Sequence, residues 1–195
     1  MLPLDITEAV FADYQGQGRL MPQWRIDVAD REAFARRSLC TQFNETDLAF
    51  LQRLRAEEGL FSWFEHQGDA HDLRTLGAHT LVIADHNGAF QPNAQPRIRY
   101  TQPGAVLKED SITRWHGHRQ VASTSVHSAS WDYRVVSSHA SSAEADADHA
   151  QPMPLRHVDQ PGTYAYETPA QAERRVLVQQ QSLQAERKRF EGAAT

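Results

Sequence analysis

The sequence predicts an α+β protein in which a small α/β sandwich-like domain, residues 1–88, precedes an antiparallel, β-rich partial barrel domain, residues 89–195. Two observations support this class. Residues 38–66 have the pattern of a strand, a helix and a strand. Beyond a boundary at residues 86–96, which contains Asn-Gly and two prolines, the hydrophobic period changes to the two-residue alternation of strands. A C-terminal helix, residues 169–190, completes the prediction.

The first predicted elements are a short helix and a strand. Asp5 or Thr7 can cap a helix that runs through Tyr14, because its side-chain oxygen accepts a hydrogen bond from a free amide of the first turn. The run Gln-Gly-Gln-Gly at residues 15–18 ends this helix. Residues 24–28, WRIDV, alternate apolar and polar side chains and predict a half-buried strand.

The second predicted helix has clear start and stop signals. Residues 38–43, SLCTQF, predict a strand, and Asn44 or Thr46 can cap the helix that follows it. Gly59 ends the helix, because a residue just past a helix end commonly adopts the left-handed conformation, which glycine enters without strain. Residues 60–66, LFSWFEH, are short and aromatic, which predicts a strand returning along residues 38–43.

This second helix has an apolar and a polar side. Leu48, Leu51 and Leu54, with Phe50 beside them, recur at helical spacing and form the predicted buried stripe. The side chains predicted to face solvent are Gln52, Arg53, Arg55, Glu57 and Glu58. The two acidic residues of this set lie at the helix end, where negative charge is mildly unfavourable.

A further strand at residues 80–84, reached through a long loop at residues 67–78, completes a small sheet. We expect both helices on one face of this sheet, with the leucine stripe buried against aromatic side chains of the strands. Phe61 and Trp63 alternate with Phe64, so one face of the sheet presents aromatic surface away from the helices.

The second half of the chain predicts several more strands. Residues 97–100, 111–116 and 123–136 are rich in Ser, Thr, Val and aromatic residues at a two-residue period. Residues 137–154, SSHASSAEADADHAQPMP, are small, acidic and proline-bearing, which predicts an exposed loop. Residues 164–166 predict one more short strand.

The final helix is predicted from its end signals. Pro169 is suited to the first helical position, and the helix can run to about Phe190, with Gly192 as its stop.

Composition excludes several classes of protein. With 195 residues, 40% hydrophobic content and 23% charged residues, the chain can bury a core and is not disordered. A formal net charge of -5 gives no long-range attraction to nucleic acid or anionic lipid, so neither partner is expected. No apolar run approaches the roughly 20 residues that span a bilayer. The start MLPLDITEAV lacks the basic and apolar regions of a signal peptide, which predicts a cytoplasmic origin outside the general secretory route.

The single cysteine, Cys40, excludes an intrachain disulfide and a zinc site built on several thiolates. We interpret Cys40 as a small core residue, because its place in a strand between Leu39 and Phe43 does not favour the reactive thiolate.

Two groups of histidines could hold a metal ion. His116 and His118 lie on one face of a predicted strand, and His127 could join them, although no carboxylate or cysteine completes a recognisable ligand set. Exposed histidines on strands offer the competing interpretation.

A second group lies in and around the long loop. Asp69, His71 and Asp72 fall between His66 and His79, where they could serve acid-base chemistry or a metal, or form a solvated loop. The favoured prediction is no catalytic residue, no cofactor and no metal site. No nucleophile elbow, phosphate-binding glycine loop or dinucleotide fingerprint is present in the sequence.

Several motifs resemble the hub region of VgrG proteins, the spike proteins of bacterial type VI secretion. They are residues 42–50, QFNETDLAF, then Arg53-Leu54, residues 57–61, EEGLF, with Phe64, and residues 79–85, HTLVIAD. The polar, strand-rich segment through Trp131-Asp132-Tyr133 continues the resemblance.

This resemblance implies a trimeric, non-enzymatic hub, similar to the baseplate hub of contractile phage tails. Such a hub sits between a secreted tube and a pointed spike. The implied partners are other copies of the chain, a tube protein of the Hcp type, and spike-tip or effector proteins, with no membrane insertion. The implied localisation is cytoplasmic at assembly, followed by type VI export without a signal peptide.

Two alternatives remain open. The chain could be a small metal-binding or hydrolytic module that uses its histidines. It could also be a gene remnant that never assembles, because hubs of the resembled family begin with an upstream barrel segment and continue into further barrel, oligonucleotide-binding-like and β-helical portions.

Overall fold

The computed structural model describes residues 1–17, 23–68, 78–92, 96–101, 111–144 and 153–194. These residues form three α-helices, nine strands and three small sheets, so the predicted α+β class is confirmed. The chain divides into two compact units, Met1–Gln91 and Pro92–Thr195. Across the described residues, no helix is both long and apolar enough to cross a membrane.

The first unit has two helices and a three-stranded sheet. Its elements are α1 (Pro3–Asp13), β1 (Gln23–Asp27), α2 (Asp47–Glu58), β2 (Phe61–Gln67) and β3 (Ala78–Ala84). The strand order is β1-β3-β2, in which β1 is parallel and β2 antiparallel to β3. These elements confirm the second helix and the three strands predicted at residues 24–28, 60–66 and 80–84.

The first helix begins earlier than predicted. Proline at the first helical position and extended backbone at Leu2 start α1 at Pro3. The Asp5 carboxylate accepts a hydrogen bond from the Leu2 backbone amide at 3.2 Å. Thr7 is buried inside the helix and donates its hydroxyl proton to the Pro3 carbonyl, so it does not cap the helix.

The limits of α2 agree with the sequence signals. The Thr46 hydroxyl accepts a hydrogen bond from the Ala49 amide at 3.2 Å and so caps the first turn. Gly59 follows the last turn in the left-handed conformation, with φ of 73°. The signals of both ends are local in sequence, which explains why they could be recognised there.

The strand predicted at residues 38–43 is wrong. Leu39 and Phe43 are 81% and 84% exposed, so the apolar pattern of this segment does not pack into a sheet. Strand β2 instead pairs with β3 along a register that runs from Phe61 opposite Ala84 to Gln67 opposite Ala78. Of the segment, half-buried Cys40 packs against the apolar side of α2.

The buried side of α2 differs from the predicted stripe at one position. Phe50, Leu51 and Leu54 are buried, whereas Leu48 is 63% exposed. The buried residues pack against α1, chiefly Ile6, Val10 and Phe11, and not against aromatic side chains of the strands. Because α2 packs against α1, the buried side of α2 is the side that carries Phe50, Leu51 and Leu54, and Leu48 stays exposed.

Arg55 is also placed differently from the prediction, because it is 9% exposed and does not face solvent. Its guanidinium donates hydrogen bonds to the Leu51 carbonyl and, at 2.7 Å, to the Ser62 hydroxyl of β2. Burial lowers the pKa of Arg55. The hydrogen bond from its guanidinium to Ser62 links α2 to strand β2 of the sheet.

Helix α1 packs on one face of the sheet, and α2 reaches the same face through the Arg55–Ser62 hydrogen bond. Leu4 of α1 shares a buried cluster with Ile83 of β3, and the rings of Phe11 and Trp24 lie 5.3 Å apart. The strand register places Phe61 and Trp63 on the opposite face. There they stack with Phe90 at ring separations of 5.4 and 4.6 Å, which gives that face its aromatic surface.

The acidic pair at the end of α2 has a specific partner. The Arg37 guanidinium contacts Glu57 at 2.6 Å and Glu58 at 2.8 Å, and its side chain is only 20% exposed. Burial alone would lower the pKa of Arg37, but the hydrogen bonds to the two carboxylates outweigh it and raise that pKa. Arg37 thus compensates two charges that the helix dipole disfavours.

The second unit has six strands and one helix among its described residues. They are β4 (Arg99–Tyr100), β5 (Ser111–Arg119), β6 (Ser125–Asp132), β7 (Ser137–Glu144), β8 (Arg156–Asp159), α3 (Pro169–Arg187) and β9 (Lys188–Ala194). They form two sheets, β4-β5-β9 and β7-β6-β8, neither of which closes into a barrel within the described part of the chain. The predicted antiparallel pairing holds for β5–β9 and β6–β7, whereas β4–β5 and β6–β8 are parallel.

The exposed loop predicted at residues 137–154 is wrong over its first part. Ser137–Glu144 form β7, whose residues pair one by one with β6, from Ser137 opposite Asp132 to Glu144 opposite Ser125. The Ser and Ala side chains of this segment cannot form a core, yet an existing strand offers them a complete hydrogen-bond ladder. Residues 145–152 of the predicted loop lie outside the described residues.

Two predictions near the C-terminus also need correction. Helix α3 ends at Arg187 and not near Phe190, because the following residues pair with β5 as strand β9. Residues 164–166 form no strand, since Tyr164 has a φ of 61° and Thr163 makes an isolated bridge to Trp131. Thr168 caps α3 by accepting a hydrogen bond from the Gln171 amide.

The core of the second unit is small and partly polar. Its buried hydrophobic residues among those described are Val126, Tyr166, Ala172 and Val176. The sheet face beneath α3 also carries Ser128, Ser130 and Asp132, of which Ser128 bonds the Tyr166 hydroxyl at 2.7 Å. Little apolar area is therefore removed from water within this unit.

Substituting Leu54 with Ala tests the helix-on-helix core of the first unit. Leu54 is fully buried, so Leu54→Ala should lower the free energy of unfolding by about 2 to 5 kcal/mol. The matched control is Leu48→Ala on the exposed side, which should change that free energy by less than about 0.5 kcal/mol. Urea unfolding followed by circular dichroism measures both free energies. Equal losses for the two variants would contradict the finding that Leu54 is on the buried side of α2 and Leu48 on the exposed side.

Substituting Arg37 with Ala tests the compensation of the acidic helix end. Arg37→Ala should lower the free energy of unfolding by about 1 to 2 kcal/mol, because two partly buried carboxylates lose their charged donor. The control is Arg25→Ala, whose ion pair with Glu65 is more exposed and should contribute less than about 1 kcal/mol. Salt should reduce the Arg37 effect in urea unfolding. An Arg37→Ala loss no greater than that of Arg25→Ala would refute the assignment.

Candidate interaction surface

Among the described residues, both faces of sheet β4-β5-β9 are open along most of β5 and β9. Every residue of β5 from Arg114 to Arg119 is exposed, and so is every residue of β9 except Ala193. Successive residues of a strand point to opposite faces, so continuous exposure means that both faces meet solvent. Three strands without a covered face lack the apolar contact that normally stabilises a small sheet.

One face of this sheet is aromatic. The rings of Trp115 in β5 and Phe190 in β9 stack at 5.5 Å between centroids with an interplanar angle of 18°. Their side chains are 52% and 61% exposed. Stacked rings of this kind contribute about 0.5 to 1.5 kcal/mol beyond the area they bury.

Two glycines allow the rings to lie flat on the sheet. Trp115 is paired with Gly192 and Phe190 with Gly117, so each ring covers a glycine on the neighbouring strand. A Cβ atom added at Gly192 would lie 2.9 Å from Trp115 Cε3, and one at Gly117 would lie 3.3 Å from Phe190 Cε1. Because each ring lies over the glycine of the neighbouring strand, the positions of both rings are fixed.

Two further apolar side chains extend this surface. Tyr100 of β4 is 61% exposed, and with Ile112 and Trp115 it lines a depression of about 420 Å³. We call Tyr100, Ile112, Trp115 and Phe190 the aromatic patch. Large aromatic residues grouped on an open surface are typical of protein interaction sites.

The opposite face of the same sheet is charged. It carries Arg114, His116 and His118 from β5, with Arg189 and Glu191 from β9. Glu191 contacts Arg189 at 3.0 Å and His118 at 3.7 Å. One face of the sheet therefore suits an apolar partner surface, and the other suits water or a polar partner.

The histidines considered as metal ligands do not all come together. His116 and His118 share the charged face as predicted, whereas His127 belongs to β6 in the other sheet of the unit. The described residues contain no group of three or more histidine, cysteine or acidic side chains that could hold a metal ion. His127 therefore does not join His116 and His118 in the described part of the chain.

The loop group is described only in part. Asp69, His71 and Asp72 lie outside the described residues. His66 and His79, the residues on either side of the loop, contact each other across β2 and β3.

A buried aspartate, Asp132, holds the turn after β6 through hydrogen bonds from Arg134, and we call this contact the Asp132 anchor. Asp132 is 3% exposed and accepts a hydrogen bond from the Arg134 backbone amide at 2.8 Å. The Arg134 guanidinium lies 3.5 Å from the ring centroid of Tyr164. Burial alone would raise the pKa of Asp132, but the hydrogen bonds from Arg134 outweigh it and hold that pKa below its usual value.

Sequence reasoning missed Phe190 and Gly192 as parts of this surface, because it assigned them to the last helix and its stop. A usable signal was present, since residues 188–194, KRFEGAA, follow the helical pattern with a bulky aromatic residue and a glycine at a two-residue spacing. Such a pair fits a strand in which a neighbouring ring covers the glycine.

A family model for the phage tail baseplate hub (GPD) matches residues 3–195. Type VI secretion system spike protein VgrG5 of Pseudomonas aeruginosa is 27% identical over 164 residues, which are 84% of this chain and 20% of that protein. Spike protein VgrG1b of the same organism is 29% identical over 163 residues, 80% of this chain and 20% of that protein.

A third relative comes from another organism. Type VI secretion system spike protein VgrG3 of Vibrio cholerae is 28% identical over 137 residues, 67% of this chain and 12% of that protein. The resemblance indicated by the sequence motifs is thereby confirmed. The chain spans at most 20% of the length of these three curated relatives.

Acid titration tests the Asp132 anchor. Because the pKa of Asp132 is lower in the folded than in the unfolded protein, its contribution to stability is present above about pH 4 and is lost as the pH falls through the folded pKa. The difference in unfolding free energy between wild type and Asp132→Asn should therefore shrink on acidification. Urea unfolding between pH 7 and pH 2.5 measures it, with Arg134→Gln expected to behave alike. A difference that does not vary with pH would contradict the ion pair.

Proposed function

The chain belongs to the phage tail baseplate hub (GPD) family, and on that premise we propose that it is a structural component of a type VI secretion spike. In this proposal it acts at the hub and performs no catalysis. The names of its relatives, which are spike proteins, support the secretion system, and the family description supports the hub.

The observation that carries the proposal is the sheet β4-β5-β9 with two open faces. A component of a ring or tube must keep surfaces open that neighbouring subunits will cover. The small core of the second unit agrees with this, because its described residues include four buried hydrophobic side chains against six strands. We propose that the missing burial is supplied by other copies of the chain, as a homotrimer.

The two faces of the sheet have different proposed roles. The aromatic patch is the subunit contact, since tryptophan and tyrosine dominate the binding energy of many interfaces when a partner excludes water from them. The charged face with Arg114, His116, His118, Arg189 and Glu191 stays in contact with water or a polar partner. In this proposal the aromatic patch supplies both the affinity and the specificity of the contact between subunits.

In the whole protein, we propose that this hub links the secreted tube to the spike for effector delivery. Its partners would then be a tube protein of the Hcp type and spike-tip or effector proteins. Assembly would take place in the cytoplasm, followed by type VI export. Because the chain corresponds to about 20% of the length of its relatives VgrG5 and VgrG1b, these partners belong to the proposal for the complete assembly.

Removing the two stacked rings tests the proposed subunit contact. A Trp115→Ser, Phe190→Ser double variant should weaken self-association at least about tenfold, the equivalent of about 1.4 kcal/mol, because interface rings of this size are common binding hot spots. Sedimentation velocity at several protein concentrations measures the association. Trimer should be the largest discrete species of the wild type.

The matched control is Tyr133→Ser, which removes a ring that is 63% exposed in the same unit but outside the aromatic patch. It should leave association unchanged. A wild type that stays monomeric at tens of micromolar, or equal weakening by the control, would contradict the proposed role of the patch.

A further inference from the structure

His66 and His79 form a cross-strand pair at one end of the first unit's sheet. They are directly opposite each other in the antiparallel register of β2 and β3. Their ring centroids lie 4.6 Å apart with an interplanar angle of 79°. The Nδ1 atom of each ring points at the Nδ1 atom of the other, within hydrogen-bonding distance. Both side chains are exposed.

The two facing Nδ1 atoms can share either a proton or a cation. A neutral imidazole carries its proton on one nitrogen and a lone pair on the other. If one ring carries its proton on Nδ1, that N–H donates a hydrogen bond to the other ring. If both rings carry the proton on Nε2, the two Nδ1 lone pairs converge on one point, where a cation can bind. The pair is therefore arranged as two converging donors, with the rings held edge to face.

From this geometry we propose that His66 and His79 form a binding site for a divalent late transition-metal ion such as Zn²⁺, Cu²⁺ or Ni²⁺. Imidazole nitrogen is a preferred ligand for these ions, whereas Mg²⁺ and Ca²⁺ prefer oxygen. Zinc binds histidine nitrogen at about 2.0 to 2.1 Å, so two ligands of a tetrahedral ion lie roughly 3.3 Å apart. A small rotation of the two exposed rings opens that separation, and water completes the coordination.

The backbone of the site is already fixed. His66 and His79 lie in the ladder next to the pairs Glu65–Thr80 and Gln67–Ala78, so their Cβ atoms are held on neighbouring strands. The nearby carboxylate of Glu65 lies on the other face of the sheet, where Arg25 binds it at 2.9 Å. The site is thus a two-histidine clamp whose metal ion would cross-link β2 to β3.

His116 and His118, which also lie close together in the described part of the chain, lack this convergence. His116 and His118 lie two positions apart on one strand, a spacing of roughly 6.7 Å, and one of them faces Glu191, which also binds Arg189. They therefore serve as the matched control for metal binding by exposed histidines in general.

Calorimetric titration of the full chain with ZnCl₂, and separately with CuCl₂, tests the proposal. The starting protein is the wild type, and the His116→Ala, His118→Ala variant, which removes the control pair, should bind zinc like the wild type. We expect saturable binding of a single equivalent, abolished by His66→Ala and by His79→Ala. The same concentration of MgCl₂ should give no binding. Zinc should also raise the thermal midpoint of the site-bearing protein only, because a ligand of the folded state stabilises it.

Folding and oligomeric state are checked on the same samples. Circular dichroism shows whether each variant is folded, and His79→Gln replaces His79→Ala if the latter is not. Light scattering shows whether the metal links separate molecules. Zinc binding that persists in the folded His66 and His79 variants, zinc binding only through intermolecular linkage, or no binding at all would each overturn the proposal.

Discussion

The structure depends on one constraint, which is that the second unit exposes much of the apolar surface it needs to be stable. Among the described residues, its sheet β4-β5-β9 is open on both faces, while the sheet beneath α3 buries mainly small and polar side chains. The crossed pairing of two rings with two glycines holds the open sheet in register. In the proposed assembly, a partner would cover the apolar surface that this sheet leaves exposed.

The first unit has the opposite character. Its two helices bury one apolar cluster between them, and α1 contributes to a second cluster against one face of the sheet. Polar side chains then fix the elements in place, as Arg37 does at the end of α2 and Arg55 does between α2 and β2. A unit with a buried apolar core followed by one with an open sheet agrees with the proposal that assembly covers the second unit.

Sequence reasoning succeeded where the signals were local. The cap and stop of α2 and the alternation of β2 depend on residues within a few positions, and the structure confirms them. It failed where a distant partner decides the outcome. Leu48 is exposed because α1 packs against the adjacent side of the helix, and Ser137–Glu144 form a strand because β6 offers them a ladder.

The same division holds for the candidate surface. Period-two alternation correctly placed His116 and His118 on one face, but the stacking of Trp115 on Phe190 joins residues far apart in sequence and could not be predicted. Likewise, two acidic residues at the end of α2 are explained only by their ion pairs with Arg37, which is about twenty positions away in the sequence.

The central claim is that assembly covers the open sheet. Amide hydrogen exchange of the full chain, compared between dilute and concentrated protein, tests it most directly, because it reports burial residue by residue. The account predicts slower exchange at high concentration in β5 and β9, with β1 to β3 unchanged. Exchange that slows elsewhere, or that does not depend on concentration in β5 and β9, would contradict it.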